Sequence, residues 1–133
     1  MATIIRRIPI TTGVEQAWAA IADPERVNEI LTFLGPVTVT GNRRSCSLDD
    51  QGTLEELLVS ADADQRRVAY AIVSSPFGFV HHHASMEIVD DPSGVTFVWT
   101  TDFLPDELRP AIEPVIDLGV ASIEQALDVR EPA

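Results

Sequence analysis

Apolar and polar positions change their period three times along this chain, and those changes mark out its elements. Residues 3–10 alternate, with Ile4, Arg6, Ile8 and Ile10 set against Ile5, Arg7 and Pro9. A period of two predicts a strand, and Pro9 marks an edge or a strand end because proline has no amide to give a ladder. Thr12-Gly13-Val14-Glu15 has the form of a capping box, in which the Thr12 hydroxyl accepts from the third amide and Glu15 reaches back. Val14, Ala17, Trp18 and Ile21 then follow at helical spacing. Asp23-Pro24 is a second start signal, an N-cap with proline at the first helical position. Val27, Ile30 and Leu31 form the stripe of the short helix it opens.

From Gly35 to Phe103 the period is two again. The predicted strands are Val37–Asn42, Arg44–Leu48, Leu54–Ala61, Arg67–Ser74, Val80–Val89 and Val95–Phe103. The links carry turn chemistry: Gly41-Asn42, Asp49-Asp50-Gln51-Gly52, Asp62-Ala63-Asp64, Ser75-Pro76-Phe77-Gly78 and Asp90-Asp91-Pro92-Ser93-Gly94. Links this short suit only antiparallel neighbours, so the strands form a meander, with the first strand joined at an edge. After Phe103 the helical period returns. Ile112, Val115, Ile116, Gly119, Val120, Ile123 and Leu127 share one face; Glu113, Asp117, Glu124 and Asp128 share the other. Pro110 and Pro114 predict an irregular turn from Asp106, with the regular helix starting at one of the two prolines.

Composition narrows the classes of function. The chain has 133 residues, 45% of them apolar, enough for one domain over 1–133 with its own core. No apolar run reaches the roughly 20 residues of a membrane-spanning helix, and the first residues lack the order of a signal peptide. A net charge of −12, from 21 acidic and 9 basic residues, argues against nucleic acid and anionic membrane surfaces. All the basic residues are Arg, which excludes lysine Schiff-base and P-loop chemistry. The lone Cys46 cannot close an intramolecular disulfide, which fits a reducing compartment and a cytoplasmic protein. No phosphate loop, nucleophile elbow or dinucleotide fingerprint occurs, and no cofactor is implied.

Several local motifs stand in a distinctive order. They are Val14-Glu15-Gln16-Ala17-Trp18, Gly52-Thr53-Leu54-Glu55-Glu56, Arg67-Val68-Ala69-Tyr70-Ala71-Ile72, Pro76-Phe77, Val95-Thr96-Phe97-Val98-Trp99 and Phe103-Leu104-Pro105. With the order strand, two short helices, six-strand meander and long helix, the chain resembles the SRPBCC superfamily. That superfamily includes START lipid-transfer domains, the major birch pollen allergen and bacterial polyketide cyclase-like proteins, and the motifs look closest to the last group. The resemblance implies an α+β helix-grip fold, a curved antiparallel sheet of about seven strands around the C-terminal helix, with a ligand cavity between them. It implies no single reaction. Where relatives often carry a Tyr at the start of the sixth strand, this chain has His82, within His81-His82-His83.

Alternation assigns the side chains to faces. Val80, His82, Ala84, Met86 and Ile88 look inward; so do Phe97, Trp99, Thr101 and Phe103, and on the fifth strand Val68, Tyr70, Ile72 and Ser74. The Ser75–Gly78 turn then brings Tyr70 close to His82. The fourth strand has apolar groups on both faces; the family pattern favours Glu56 inward, with Arg44 as its charge partner if the hairpin register allows. His81 and His83 share the opposite face from His82, too few ligands for zinc, and no metal site is expected.

Three functions remain open. The preferred one is a binding or carrier protein for a small hydrophobic molecule (lipid, isoprenoid or polyketide). Its pocket is lined by Met86, Phe97, Trp99, Thr101 and Phe103 from the sheet, and by Ile112, Ile116, Gly119 and Ile123 from the last helix. The second is a polyketide cyclase or dehydratase, with His82 and either Tyr70 or Glu56 exchanging protons. The third is a protein-interaction module whose pocket is filled by Trp99, Phe97 and Phe77. Each residue also has a plainer role: His82 as a satisfied half-buried histidine, Glu56 in a structural ion pair, and Gly119 as a site of close helix–sheet approach.

Overall fold

The computed structural model describes residues 1–48 and 51–128. Strand β1 (Ala2–Ile10) is followed by helix α1 (Val14–Ala22), a 3-10 turn (Pro24–Arg26) and helix α2 (Val27–Ile30). The meander comprises β2 (Val37–Thr40), β3 (Arg43–Ser47), β4 (Thr53–Asp62), β5 (Arg67–Ser74), β6 (His81–Asp91) and β7 (Gly94–Leu104). A second 3-10 turn (Asp106–Leu108) leads into α3 (Arg109–Ala126). The seven strands pair antiparallel in the order β1-β7-β6-β5-β4-β3-β2, so the first strand closes onto the last. This is the helix-grip arrangement.

Local chemistry explains most element ends. The Asp23 carboxylate accepts from the Glu25 amide at 3.0 Å, which starts the 3-10 turn ahead of α2. The capping box expected at Thr12 does not form, because Gly13 stands at the N-cap and no side chain caps α1. The Thr12 hydroxyl instead donates to the Leu127 carbonyl at 2.5 Å, tying the start of α1 to the end of α3. Glu15 pairs with Arg66 at 3.4 Å. Helix α3 starts one residue before Pro110, and Pro114 lies inside it at the loss of one backbone bond. Ser122 links α3 to the segment after α2, its hydroxyl donating to the Ile30 carbonyl at 2.7 Å and accepting from the Thr32 amide at 2.9 Å. Of the turn expected at Asp49-Asp50-Gln51-Gly52, the two aspartates lie outside the described residues.

The register settles which groups face the helix. Trp99 pairs with Met86 and Phe103 with His82, all four buried on the inner face. On β4, Leu54 and Glu56 are buried, so the inner set is the one containing Glu56. Register shifts fall between Glu55 and Glu56 and between Leu58 and Ser60, and such bulges bend and twist a sheet. The first of them overturns one expectation. Ser74 pairs with Glu55 across the shift and is exposed. Val80, also assigned inward, precedes β6 and is 81% exposed. The core lies between the sheet and α3, with Ile112, Ile116, Gly119 and Ile123 buried on the helix side. Gly119 is there for close approach: a Cβ at that position would stand 2.7 Å from Trp99 Cζ3 and 3.3 Å from Leu31 Cδ2. Among the described residues no helix is long and apolar enough to cross a membrane.

Candidate functional site

The hollow expected between sheet and helix is present, and it is small, about 70 Å³. That is room for roughly two water molecules, against about 300–1,000 Å³ in typical small-molecule sites. Ile112, Val115 and Ile116 of α3 form one wall, and Leu54, Ile72 and Trp99 of the sheet form the other. Phe33 and Leu34, from the segment after α2, and Phe77 and Phe79, from the β5–β6 connection, close the rim. Phe79 packs into it, with its ring centroid 4.9 Å from that of His82 and 5.8 Å from that of Phe103. Gly78, between the two rim phenylalanines, has a φ of +83°, a turn that aims both rings without strain.

Five polar side chains also line this cavity: Arg44, Glu56, Tyr70, His82 and Thr101, every one buried. Arg44 lies opposite Glu56 in the β3–β4 register, and its Nε donates to Glu56 Oε1 at 2.6 Å. Arg44 Nη1 also donates to the Pro24 carbonyl at 3.1 Å, which anchors the turn before α2. The guanidinium carbon stands 5.4 Å from the Tyr70 ring centroid. Trp99 Nε1 donates to the Tyr70 hydroxyl oxygen at 3.2 Å. Tyr70 and His82 meet as expected, ring centroids 5.9 Å apart. The Ile72 amide donates to His82 Nδ1 at 2.9 Å. Nδ1 is therefore the bare nitrogen, and in the neutral ring the proton sits on Nε2.

Burial governs the titration of this cluster. It pulls His82 down from 6.5 to about 4, helped by the neighbouring His83 and His81. Burial first, and the Glu56 carboxylate second, hold the Tyr70 phenol well above its usual range. The same two causes push the Cys46 thiol up to about 12, so it is an inert core thiol whose Sγ contacts Glu56 Oε1 at 3.6 Å. At neutral pH the site thus presents a neutral imidazole, a neutral phenol and an internally paired ion couple. Such groups donate and accept hydrogen bonds well. They are poorly set for proton abstraction, because the basic nitrogen of His82 is occupied by the backbone.

Of the expected site residues, His82, Tyr70, Glu56, Trp99, Thr101, Ile112 and Ile116 line the cavity. Met86, Phe97, Phe103, Gly119 and Ile123 are buried in the core behind it and do not reach its wall. The Pro76–Phe79 turn was expected at the rim and supplies Phe77 and Phe79, whereas sequence reasoning missed Phe33 and Leu34. Their only signal was large apolar side chains in connections that should be polar, which periodicity does not register. His81 and His83 lie on the other face, opposite Leu104 and Asp102, and no metal-binding group of three is formed among the described residues. Beyond Arg44 and Tyr70 lies a second, more open hollow of about 250 Å³, flanked by Ile21, Pro24, Leu58 and Val68; those two side chains separate it from the first.

Comparison with known proteins agrees with this geometry. A solved structure of the protein XoxI from Bacillus cereus superposes with a TM-score of 0.85 at 20% identity, covering 96% of each chain. A protein of Thermobifida fusca gives 0.80 at 27% identity, covering 96% of this chain and 91% of that one. The ginseng major latex-like protein 151 of Panax ginseng gives 0.76 at 12% identity, covering 95% and 97%. No curated protein matches the chain. The family model described as polyketide cyclase / dehydrase and lipid transport matches residues 1–128, and the chain belongs to that family.

Proposed function

We propose that this chain binds and carries a small hydrophobic molecule, of lipid, isoprenoid or polyketide type, in the cavity between sheet and α3. One observation carries the reading: a mostly apolar hollow into which a few buried polar side chains converge, the usual build of a small-molecule site. The cavity must widen to admit a ligand. The rim phenylalanines, Phe77 and Phe79 on their glycine-centred connection, are the groups that move. The cyclase reading draws less support, because it asks His82 for a proton acceptor that the Ile72 amide already holds.

The test is native mass spectrometry of the freshly purified protein, with a titration of an apolar fluorescent probe followed by Trp99 emission. The Trp18→Phe variant makes Trp99 the sole reporter, since the chain has two tryptophans. A mass adduct, or saturable one-to-one binding that changes Trp99 emission, supports the carrier reading. A clean apo mass together with a linear, non-saturating probe response rejects it.

A further inference from the structure

Resting on that reading, we propose that the preferred ligand is uncharged and ends in a hydrogen-bond acceptor, a carbonyl oxygen, held by His82 Nε2–H with the Thr101 hydroxyl beside it.

His82 Nδ1 accepts from the Ile72 amide, so the Nε2–H remains, and among the described residues it has no partner. Thr101 is 2% exposed and His82 5%, yet no buried side-chain nitrogen or oxygen among the described residues is sealed off without a partner. Both groups line the first cavity and not the second, so their spare capacity opens onto the first. In register His82 lies opposite Phe103 and Thr101 opposite Ala84, which makes them diagonal neighbours on one face of the sheet.

Charge then selects among heads that accept hydrogen bonds. Arg44 and Glu56 cancel, and the pair spends Arg44 Nε on Glu56 Oε1. A carboxylate head would enter a low-dielectric space with no net positive charge and with the Glu56 carboxylate on the same wall. A bare hydrocarbon avoids that repulsion but expels water from the imidazole N–H and replaces it with nothing. A ketone or ester carbonyl meets both conditions. Sites built to hydrogen-bond a polar group reject analogues lacking it more strongly than those differing by a methylene.

The experiment is competition against a bound apolar fluorescent probe at pH 8 with three eleven-carbon molecules: a methyl ketone, the straight-chain carboxylate and the alkane. The ketone is expected to bind about 10-fold or more tightly than either. In His82→Phe the ketone falls to the level of the alkane, while the alkane is unchanged. Since His82→Phe also leaves the Ile72 amide without its acceptor and can fail to fold, Thr101→Val provides a second, isosteric variant that narrows the same gap. The carbonyl stretch of the bound ketone, read by infrared in the wild type, shifts to lower frequency than in alkane solvent. A carboxylate equal to or tighter than the ketone, a ketone no tighter than the alkane, or an unshifted carbonyl stretch overturns the inference and leaves the carrier reading standing. If none of the three displaces the probe, and no adduct is seen by mass, the carrier reading itself falls and takes this inference with it.

Discussion

Removing the Phe79 ring should weaken the fold and strengthen binding, two effects of opposite sign from one substitution. The ring is half-buried, tilted against His82, edge-on to Phe103 and adjoining Phe77 at 6.0 Å between centroids. Truncating a fully buried Phe to Ala costs about 3–5 kcal/mol, so a half-buried ring scales to about 2 kcal/mol. If a ligand enters by displacing that ring, the wild type must expose it first. Exposure forfeits about 1 kcal/mol of apolar burial, and the aromatic contacts add about 0.5 kcal/mol. Phe79→Ala has no ring to expel, so its affinity for an apolar probe rises by about 1–2 kcal/mol, roughly 5- to 30-fold. Urea unfolding gives the stability change and probe titration by Trp99 fluorescence gives Kd. An affinity that drops along with stability, or stays unchanged, refutes the idea that Phe79 occupies the ligand's space.

Three further outcomes follow from the same site. His82 binds a proton near pH 6.5 when unfolded and near 4 when folded, so between those values the unfolded state carries more protons and stability rises with pH; roughly 3 kcal/mol is fully present above about pH 6.5 and lost as pH falls toward 4, and urea melts across that window will show a steeper rise in the wild type than in His82→Phe. Arg44→Met or Glu56→Leu alone leaves a buried charge unpaired and costs about 3–5 kcal/mol, whereas the double variant loses less than either single one, a coupling that a double-mutant cycle in urea measures directly. Gly119→Ala, despite a helix propensity gain of about 1 kcal/mol, lowers stability by about 1 kcal/mol net and weakens probe binding, because the added methyl pushes the Trp99 ring toward the cavity; a stabilised variant with unchanged Kd would show that the close approach is not needed.

Much of the scaffold was legible because its periods are clean. The alternation of β6 and β7 placed His82, Trp99 and Thr101 on the inner face, and the short turn-forming links between strands left no choice but an antiparallel meander. The Arg44–Glu56 pair was visible as opposite charges on neighbouring strands, and the β3–β4 register delivers it. Alternation failed where the ladder slips. The register shift beside Glu55 turned Ser74 outward, and no local residue pattern announces a bulge of that kind. The Thr12 capping box failed for a different reason. A contact to Leu127, more than a hundred residues away, took the hydroxyl that local reasoning had assigned to α1. Cavity membership was the least legible property. Met86, Phe97, Phe103 and Ile123 face the right way yet are covered by their neighbours, while Phe33 and Leu34 arrive from a connection whose path depends on packing.

The sharpest test of the account is an isotope-filtered NOE measurement on the labelled protein saturated with an unlabelled apolar ketone. Contacts from the ligand to Trp99, Ile116 and His82 are expected, together with loss of the Phe79–His82 ring contact present in the free protein. Ligand contacts confined to the outer sheet face or to the hollow beyond Tyr70, with Phe79 still seated on His82, would contradict it.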